Sequence, residues 1–486
     1  MSSSPQTPVS PDTTPPNITS PNTTSPDLPS PVAAADLRAA LGAGSPVLGP
    51  DDDGYAAARV IEPGGVEHRP AAVVRPADAE AVAAAVRLAR DAGAEISVRS
   101  GGHSVFGLGA ADGAVMLDLR GLDALELDVD GRTAWAGGGI TAGAYSRAAG
   151  EHGLATPFGD TGGVGVGGIT LGGGIGLLSR SLGMTIDSLL GAEVVTADGE
   201  IVRTDADHEP DLFWALRGGG GNFGVVTRFR FALHEVSQVV GGVMLVPATP
   251  ESVAGIVAAA DAAPNGLTAI LMVMTAPPMP MIPAEWHGRV VVMANLCWSG
   301  PLAEADTALA PLRDVAARAG GALLDGVRPA PYASLLEGGP QGGPVVATGR
   351  TFVADGVDEA AAAHLLEQLE SSDAMMRAAQ LRVLGGAVAD IPADATAYAH
   401  RAARVVGNVA AVAPDAATAR GYAPWVDALA DRLRSGDGSY VNFSLDGGID
   451  AARAAYPGAT WERLRAVKRR YDPQNLFRGN VNVPPA

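Results

Sequence analysis

Apolar residues follow two rhythms along the first half of the chain. Ala71 to Val74 is a short apolar run that reads as a strand. Pro76-Ala77-Asp78 opens a helix, and apolar positions from Glu80 to Ala92 recur at helical spacing until Gly93 stops them. Ile96 to Arg99 reads as the next strand. It runs directly into Ser100-Gly101-Gly102-His103-Ser104, which puts a histidine on a glycine-rich loop at a strand end. Val115 to Leu119 and Arg132 to Ala136 predict further strands, Ala142 to His152 a helix, and Val225 to Phe231 a strand with alternating faces. This mixture places the fold class at α+β or α/β.

Gly159 to Gly176 holds ten glycines in eighteen residues. That is too many for a helix or strand interior, because each glycine loses maximal backbone entropy on ordering. Val164, Val166, Ile169, Leu171 and Ile175 interrupt the run, which favours a packed surface over a flexible linker. Such a surface lets backbone N–H groups approach a flat or anionic ligand. A second cluster, Gly218 to Gly221 and then Asn222-Phe223-Gly224, precedes the Val225 strand, and two glycine walls suggest one large, extended cofactor. Both clusters match GxGxxG, as Gly163/Gly165/Gly168 and Gly219/Gly221/Gly224. The dinucleotide fingerprint, however, follows a strand and opens a helix. The first match follows the loop-like Ala155 to Thr161 and the second leads into a strand, so a nicotinamide-binding unit is not expected.

Composition narrows the class. The 486 residues suggest two or three domains, and 34 basic against 53 acidic residues give a net charge of −19. Nucleic acid and anionic lipid both demand a basic face, so neither is an expected partner. The one cysteine, Cys297, permits no internal disulfide and no cysteine-built metal site. The one lysine, Lys468, lies between Val467 and Arg469, which excludes a GxxxxGK[ST] phosphate loop. The eight histidines lack metal-ligand spacing, and no metal is expected. Of the first 31 residues, 22 are Pro, Ser or Thr, so residues 1 to 36 are expected to be disordered. They lack the basic start and apolar run of a secretory signal, and no run of ~20 apolar residues follows. A cytoplasmic protein, monomer or homodimer, is the expectation.

Five motifs now come together: Arg99-Ser100-Gly101-Gly102-His103-Ser104; Val164-Gly165-Val166-Gly167-Gly168 with Gly172-Gly173-Gly174-Ile175-Gly176; Asp211 to Gly220; Tyr440-Val441-Asn442; and Tyr471-Asp472-Pro473-Gln474-Asn475-Leu476-Phe477. In this order they resemble the berberine bridge enzyme-like FAD-linked oxidases of the vanillyl-alcohol oxidase, or PCMH-type, flavoprotein superfamily. The resemblance covers about residues 66 to 236 and 436 to the end. It implies an α+β fold: an FAD-binding domain of two α+β subdomains at 37–236, a substrate domain with an antiparallel sheet flanked by helices at 237–435, and a segment at 436–486 that returns to the first domain.

The resemblance also implies site residues. His103 would be bonded to the 8α carbon of FAD, and loop amides from Ser100 to Ser104 would hold the pyrophosphate. Arg99, Gly101, Gly102, Thr161, Gly162, Val164, Gly165, Gly167, Gly168, Gly172, Gly173, Gly174, Gly176, Gly224, Val226, Tyr440, Asn442 and Asn480 complete the cofactor set. Many relatives attach FAD a second time through a cysteine at the position of Thr161, so a second, cysteinyl link is not expected here. Val164 matches a position that gates oxygen, and its small size goes with oxidase behaviour.

Removing hydride from an alcohol carbon requires a base for the hydroxyl proton. Tyr440 is the first candidate, since Asn442 is followed by Phe443 where many relatives have another tyrosine; Tyr398 is the second. A core position would suit either tyrosine equally well. The implied function is an FAD-dependent oxidase acting on an alcohol-bearing small molecule such as a sugar, glycoside or natural product, with oxygen as acceptor and peroxide as product. The alternatives are a flavin dehydrogenase or oxidative cyclase of secondary metabolism, and a flavin-binding protein without turnover.

Overall fold

The computed structural model describes residues 32–61, 67–104, 107–278, 280, 282–337, 346–444 and 448–486. Its first layer grows from the βα unit read above. Asp78 caps the helix Ala79–Asp91 by accepting from Ala81 N at 2.9 Å, and Val82, Ala83, Val86 and Ala89 bury one face. That face covers a four-stranded sheet in the order Val47–Leu48, Ala72–Val74, Val115–Asp118, Ile96–Arg99; the last three strands are parallel.

A five-stranded antiparallel sheet forms the second layer, in the order Leu125–Asp128, Thr133–Gly137, Val225–Ala232, Leu189–Val195, Ile201–Asp205. Its centre is the alternating strand expected at Val225 to Phe231. Phe229 and Phe231 point inward, and Phe231 meets Tyr145 and Phe158 edge-on. Tyr145 comes from the helix Ala142–Gly150, which Thr141 caps through Ala144 N.

The third layer is an eight-stranded sheet spanning Gln238 to Ala413, antiparallel in every pairing. Helices Pro250–Ala262, Ala305–Arg318, Glu359–Ser371 and Ala416–Leu433 pack on one face and enclose the largest apolar cluster. The other face turns towards the first two layers. The chain then returns to those layers. The helix Ala459–Tyr471 buries Trp461, Leu464 and Val467 in the cluster that holds Phe229 and Phe231.

This is the α+β architecture expected, with two corrections. Order begins before residue 36: Val32 and Leu37 bury themselves beside Val82 and Val86, and a helix starts at Ala34. The rest of the expected tail, 1–31, lies outside the described residues. The glycine run also contains a helix, Val166–Leu171, with Gly165 at its N-cap. Gly167 has a packing reason to be there, since a Cβ would fall 2.8 Å from Gly138 O, whereas Gly168 faces open space. The GxGxxG match therefore does open a helix, but it still follows no strand of the parallel sheet.

Candidate active site

A cavity of about 300 Å³ lies where the three layers meet. Arg99, Ser100, Gly101, Gly102, His103 and Ser104 line one side. Val164, Gly165, Gly167, Gly168 and Gly172 line a second, with Gly224, Val226, Tyr440, Asn442 and Asn480 around the remainder. Thr161, Gly162, Gly173, Gly174, Gly176 and Tyr398 do not line it. Gly162 instead hydrogen-bonds Leu336 O at 2.7 Å, turned away from the cavity, and Gly174 stands behind Tyr440.

Most of these glycines answer to the protein itself. A Cβ on Gly101 would fall 2.2 Å from Gly165 N, and one on Gly165 would fall 2.0 Å from Gly101 N. The histidine loop and the glycine run thus touch backbone to backbone, bridged by Ser100 Oγ, which donates to Gly138 O at 2.6 Å and accepts from Gly167 N at 3.2 Å. A Cβ on Gly172 would strike the Asn442 amide. Gly168 differs, since nothing lies within 4 Å of its Cβ position, and Gly221 meets only the Asn480 amide at 3.8 Å. The ligand explanation offered by the sequence applies at these two open walls.

His103 is exposed at the cavity rim, its ring over Gly163, where a Cβ would sit 2.7 Å from Nε2. Arg99 is buried and donates to Ala58 O at 3.0 Å, beneath the turn at Gly102.

Tyr440 is 2 % exposed, and its hydroxyl oxygen receives three N–H donors: Gly174 N at 3.0 Å, Ile175 N at 3.3 Å and Asn442 Nδ2 at 2.9 Å. A neutral phenol accepts comfortably at two lone pairs; three donors favour the phenolate. Burial pushes the phenol above its ordinary range, while the Asn442 amide, the Arg382 charge and the two backbone donors pull the other way. Tyr398 stands behind Tyr440, edge-on at 6.0 Å between ring centroids, with no hydrogen-bond partner for its hydroxyl among the described residues and its acidity suppressed by burial.

Sequence reasoning missed Arg382 and Asp160, which both line the cavity. Arg382 Nη2 lies 3.1 Å from both Asp160 oxygens, Nη1 donates to Ile175 O at 3.0 Å, and Nε donates to Gln380 Oε1 at 3.1 Å. No local signal marks this pair, which is separated by 222 positions. Cys297 is fully buried among Leu177, Leu178 and Tyr332, and burial pushes its thiol up to about 12.

The residues present suit a large flat cofactor. Two glycine walls stand open, and the buried Tyr456 hydroxyl and Asn480 Oδ1 on the cavity lining have no hydrogen-bond partner among the described residues. A cleft where a parallel α+β sheet meets an antiparallel one, with a phenol held by three donors, suits a flat dinucleotide-sized cofactor beside a proton-transfer group.

Residues 70–205 match the FAD binding domain profile, and residues 439–484 match the profile described as berberine and berberine like. The (R)-6-hydroxynicotine oxidase of Paenarthrobacter nicotinovorans is 42% identical over 192 residues, 40% of this chain and 42% of that protein, so the aligned part spans less than half of that relative. The crystal structure of 6-hydroxy-D-nicotine oxidase from Arthrobacter nicotinovorans superposes with a TM-score of 0.79 at 29% identity, over 92% of this chain and 99% of that one. A glucooligosaccharide oxidase from Acremonium strictum, described with a 6-S-cysteinyl, 8α-N1-histidyl FAD, shares the fold with a TM-score of 0.78 at 24% identity, over 93% and 99% of the two chains. Two segments of the chain, 70–205 and 439–484, thus match the FAD-binding and berberine-like families, and its fold is that of a berberine bridge enzyme-like FAD-linked oxidase.

Proposed function

We propose that this protein is an FAD-linked oxidase that converts the CH–OH group of a small molecule to a carbonyl, with oxygen as final acceptor and hydrogen peroxide as product. The carrying observation is the Tyr440 oxygen, which meets three N–H donors at the cavity wall. When bound, FAD supplies the two-electron acceptor for hydride leaving the carbinol carbon. This chain's residues supply everything else. Ser100 to Ser104 and the open walls at Gly168 and Gly221 hold the dinucleotide, and His103 carries the covalent bond. Thr161 offers no thiol and Cys297 is buried elsewhere, so the link is histidyl alone.

Tyr440 takes the hydroxyl proton at its phenolic oxygen. Asn442, Gly174 and Ile175 offset the charge of the phenolate before the proton arrives, which lowers the cost of forming it in a buried place, and one of the three donors is released once the phenol is neutral. Arg382 adds positive charge nearby without binding an anion, because Asp160 already neutralises it. The named activities of relatives on hydroxynicotine and glucooligosaccharide support oxidase chemistry in general.

Anaerobic mixing with a panel of alcohols tests the reading. Bleaching of the yellow colour by at least one alcohol, followed by recovery and peroxide on admitting air, is expected. No bleaching by any alcohol would exclude the oxidase. Recovery no faster in air than under nitrogen would exclude oxygen as acceptor.

A further inference from the structure

The face of the eight-stranded sheet that carries Arg382, which lines the cavity, is divided between two chemistries. Cross-strand register sets Met293, Met272, Gln380, Asn408 and Thr351 side by side on five neighbouring strands. Alternation puts their side chains opposite the helix-covered face, where Ala294, Leu271, Val273, Ala379, Leu381 and Val409 are buried. With strands ~4.8 Å apart, the row is ~19 Å wide.

Further along the strands, Ile270, opposite Asn295, and Cys297, opposite Thr268, are buried with Leu177, Leu178 and Tyr332. From the Met272 row onward the cover ends: Met272, Met274, Met293, Gln380 and Asn408 are all only half-buried. The polar end meets the site, since Thr351 Oγ1 accepts from Tyr440 N at 3.3 Å and Gln380 Oε1 is tied to Arg382. Asn408 Oδ1 is buried there with no partner among the described residues. At the other end Met293 packs against a cluster of Leu245, Ile282 and Trp286.

We propose that this face is the substrate shelf and that it selects an uncharged, hydroxylated aromatic compound, with the carbinol at the amide end beside Tyr440 and the ring on the methionines. The proposal rests on the oxidase reading above. Charge is excluded because Arg382, the one charged side chain on this face of the five strands, is already paired with Asp160. On this face Thr351, Asn408 and Gln380 stand at one end and Asn295 beside Met293, while Met272, Met274 and Met293 form a contiguous apolar patch between them. Thioethers adapt to irregular apolar shapes and attract ring edges, so three adjacent methionines suit an aromatic body. Small-molecule sites of this kind are mostly apolar, with a few placed polar groups.

The test uses the yellow holoenzyme with 2-naphthalenemethanol and cellobiose as alcohols, and 2-naphthaldehyde, the carbonyl product of the first, as a binding probe in calorimetry. Anaerobic bleaching at lower concentrations of the naphthyl alcohol than of cellobiose is expected. Met272→Gln and, separately, Met274→Gln are expected to weaken naphthaldehyde binding about tenfold while leaving the melting temperature near that of the parent. Bleaching by cellobiose at lower concentrations than the naphthyl alcohol, or naphthaldehyde binding that is absent or insensitive to both substitutions, would overturn the shelf and leave the oxidase reading standing. Methionine-dependent naphthaldehyde binding without bleaching by any alcohol would support the shelf and overturn the oxidase.

Discussion

Arg382 and Asp160 clamp the glycine run to the eight-stranded sheet. One guanidinium nitrogen sits 3.1 Å from each carboxylate oxygen, while another holds the carbonyl of Ile175, whose own N–H points at Tyr440. The clamp therefore fixes a donor to the proposed base as well as placing a charge near it.

This relationship gives the first prediction. Arg382 lowers the Tyr440 pKa against the larger, opposing effect of burial. Removing a group that favours the phenolate raises the pKa, so the acidic limb of kcat/KM moves to higher pH in Arg382→Met. Below the limb, each unit of movement costs about tenfold in rate. Asn442→Ala moves the limb in the same direction, because its amide is the strongest of the lowering contacts. The Asp160→Asn, Arg382→Met double variant leaves no unpaired carboxylate and should recover stability, but not the limb. A pH–rate profile unchanged in both single variants would separate Tyr440 from proton transfer.

The covalent link is checked independently of turnover. Acid-precipitated protein should keep its yellow colour in the pellet, and the intact mass should exceed that of the chain by one FAD. His103→Ala should bind FAD but release it to the supernatant. Thr161→Ala should change neither result, since a threonine at that position forms no thioether.

Glycines that look alike in sequence should fail in different ways. In Gly165→Ala the new Cβ would lie 2.0 Å from Gly101 N and 2.2 Å from Ser100 Oγ, so two loop backbones must part. A loss of about 1–3 kcal/mol in denaturant unfolding is expected, together with poor flavin retention. Gly168→Ala places its methyl in open space within the cavity lining. Its apoprotein should melt with the parent while FAD binding weakens. Equal melting losses in both would remove the distinction between packing glycines and ligand-facing ones.

That contrast also marks how far the sequence could be read. Local patterns were legible: the Ala79–Asp91 helix, the Ile96–Arg99 strand with its loop, and the Val225–Ala232 strand each follow from periodicity and turn residues within a dozen positions. The α+β class followed from these, and motif order supplied the family. What stayed hidden depends on register and long-range contact. Gly174 N reaches Tyr440 across 266 positions, and the methionine and amide row exists only once five strands align. Glycine density suggested a ligand wall along its whole length because a missing Cβ looks the same whether backbone or cofactor fills the space.

Lys468 illustrates the same limit and carries the last prediction. In sequence it served only to exclude a phosphate loop, yet the side chain is completely buried and spends all three donors: on Asn222 O at 2.7 Å, Asp472 Oδ2 at 2.7 Å and Phe477 O at 2.8 Å. Asp472 in turn accepts from Leu476 N and Phe477 N, so one ion pair ties the C-terminal turn to the second glycine wall. An arginine-rich chain keeps a lysine here because three converging acceptors around a point suit an ammonium and not a planar fork. Lys468→Met leaves Asp472 buried without its cation and should cost about 3–5 kcal/mol in denaturant unfolding. Lys468→Arg should also destabilise, because the guanidinium cannot satisfy the same three acceptors. Lys468→Met with Asp472→Asn should recover part of the loss, since no uncompensated charge remains. Wild-type stability in Lys468→Met would show that water reaches the pair and that the C-terminal turn is held by its apolar contacts alone.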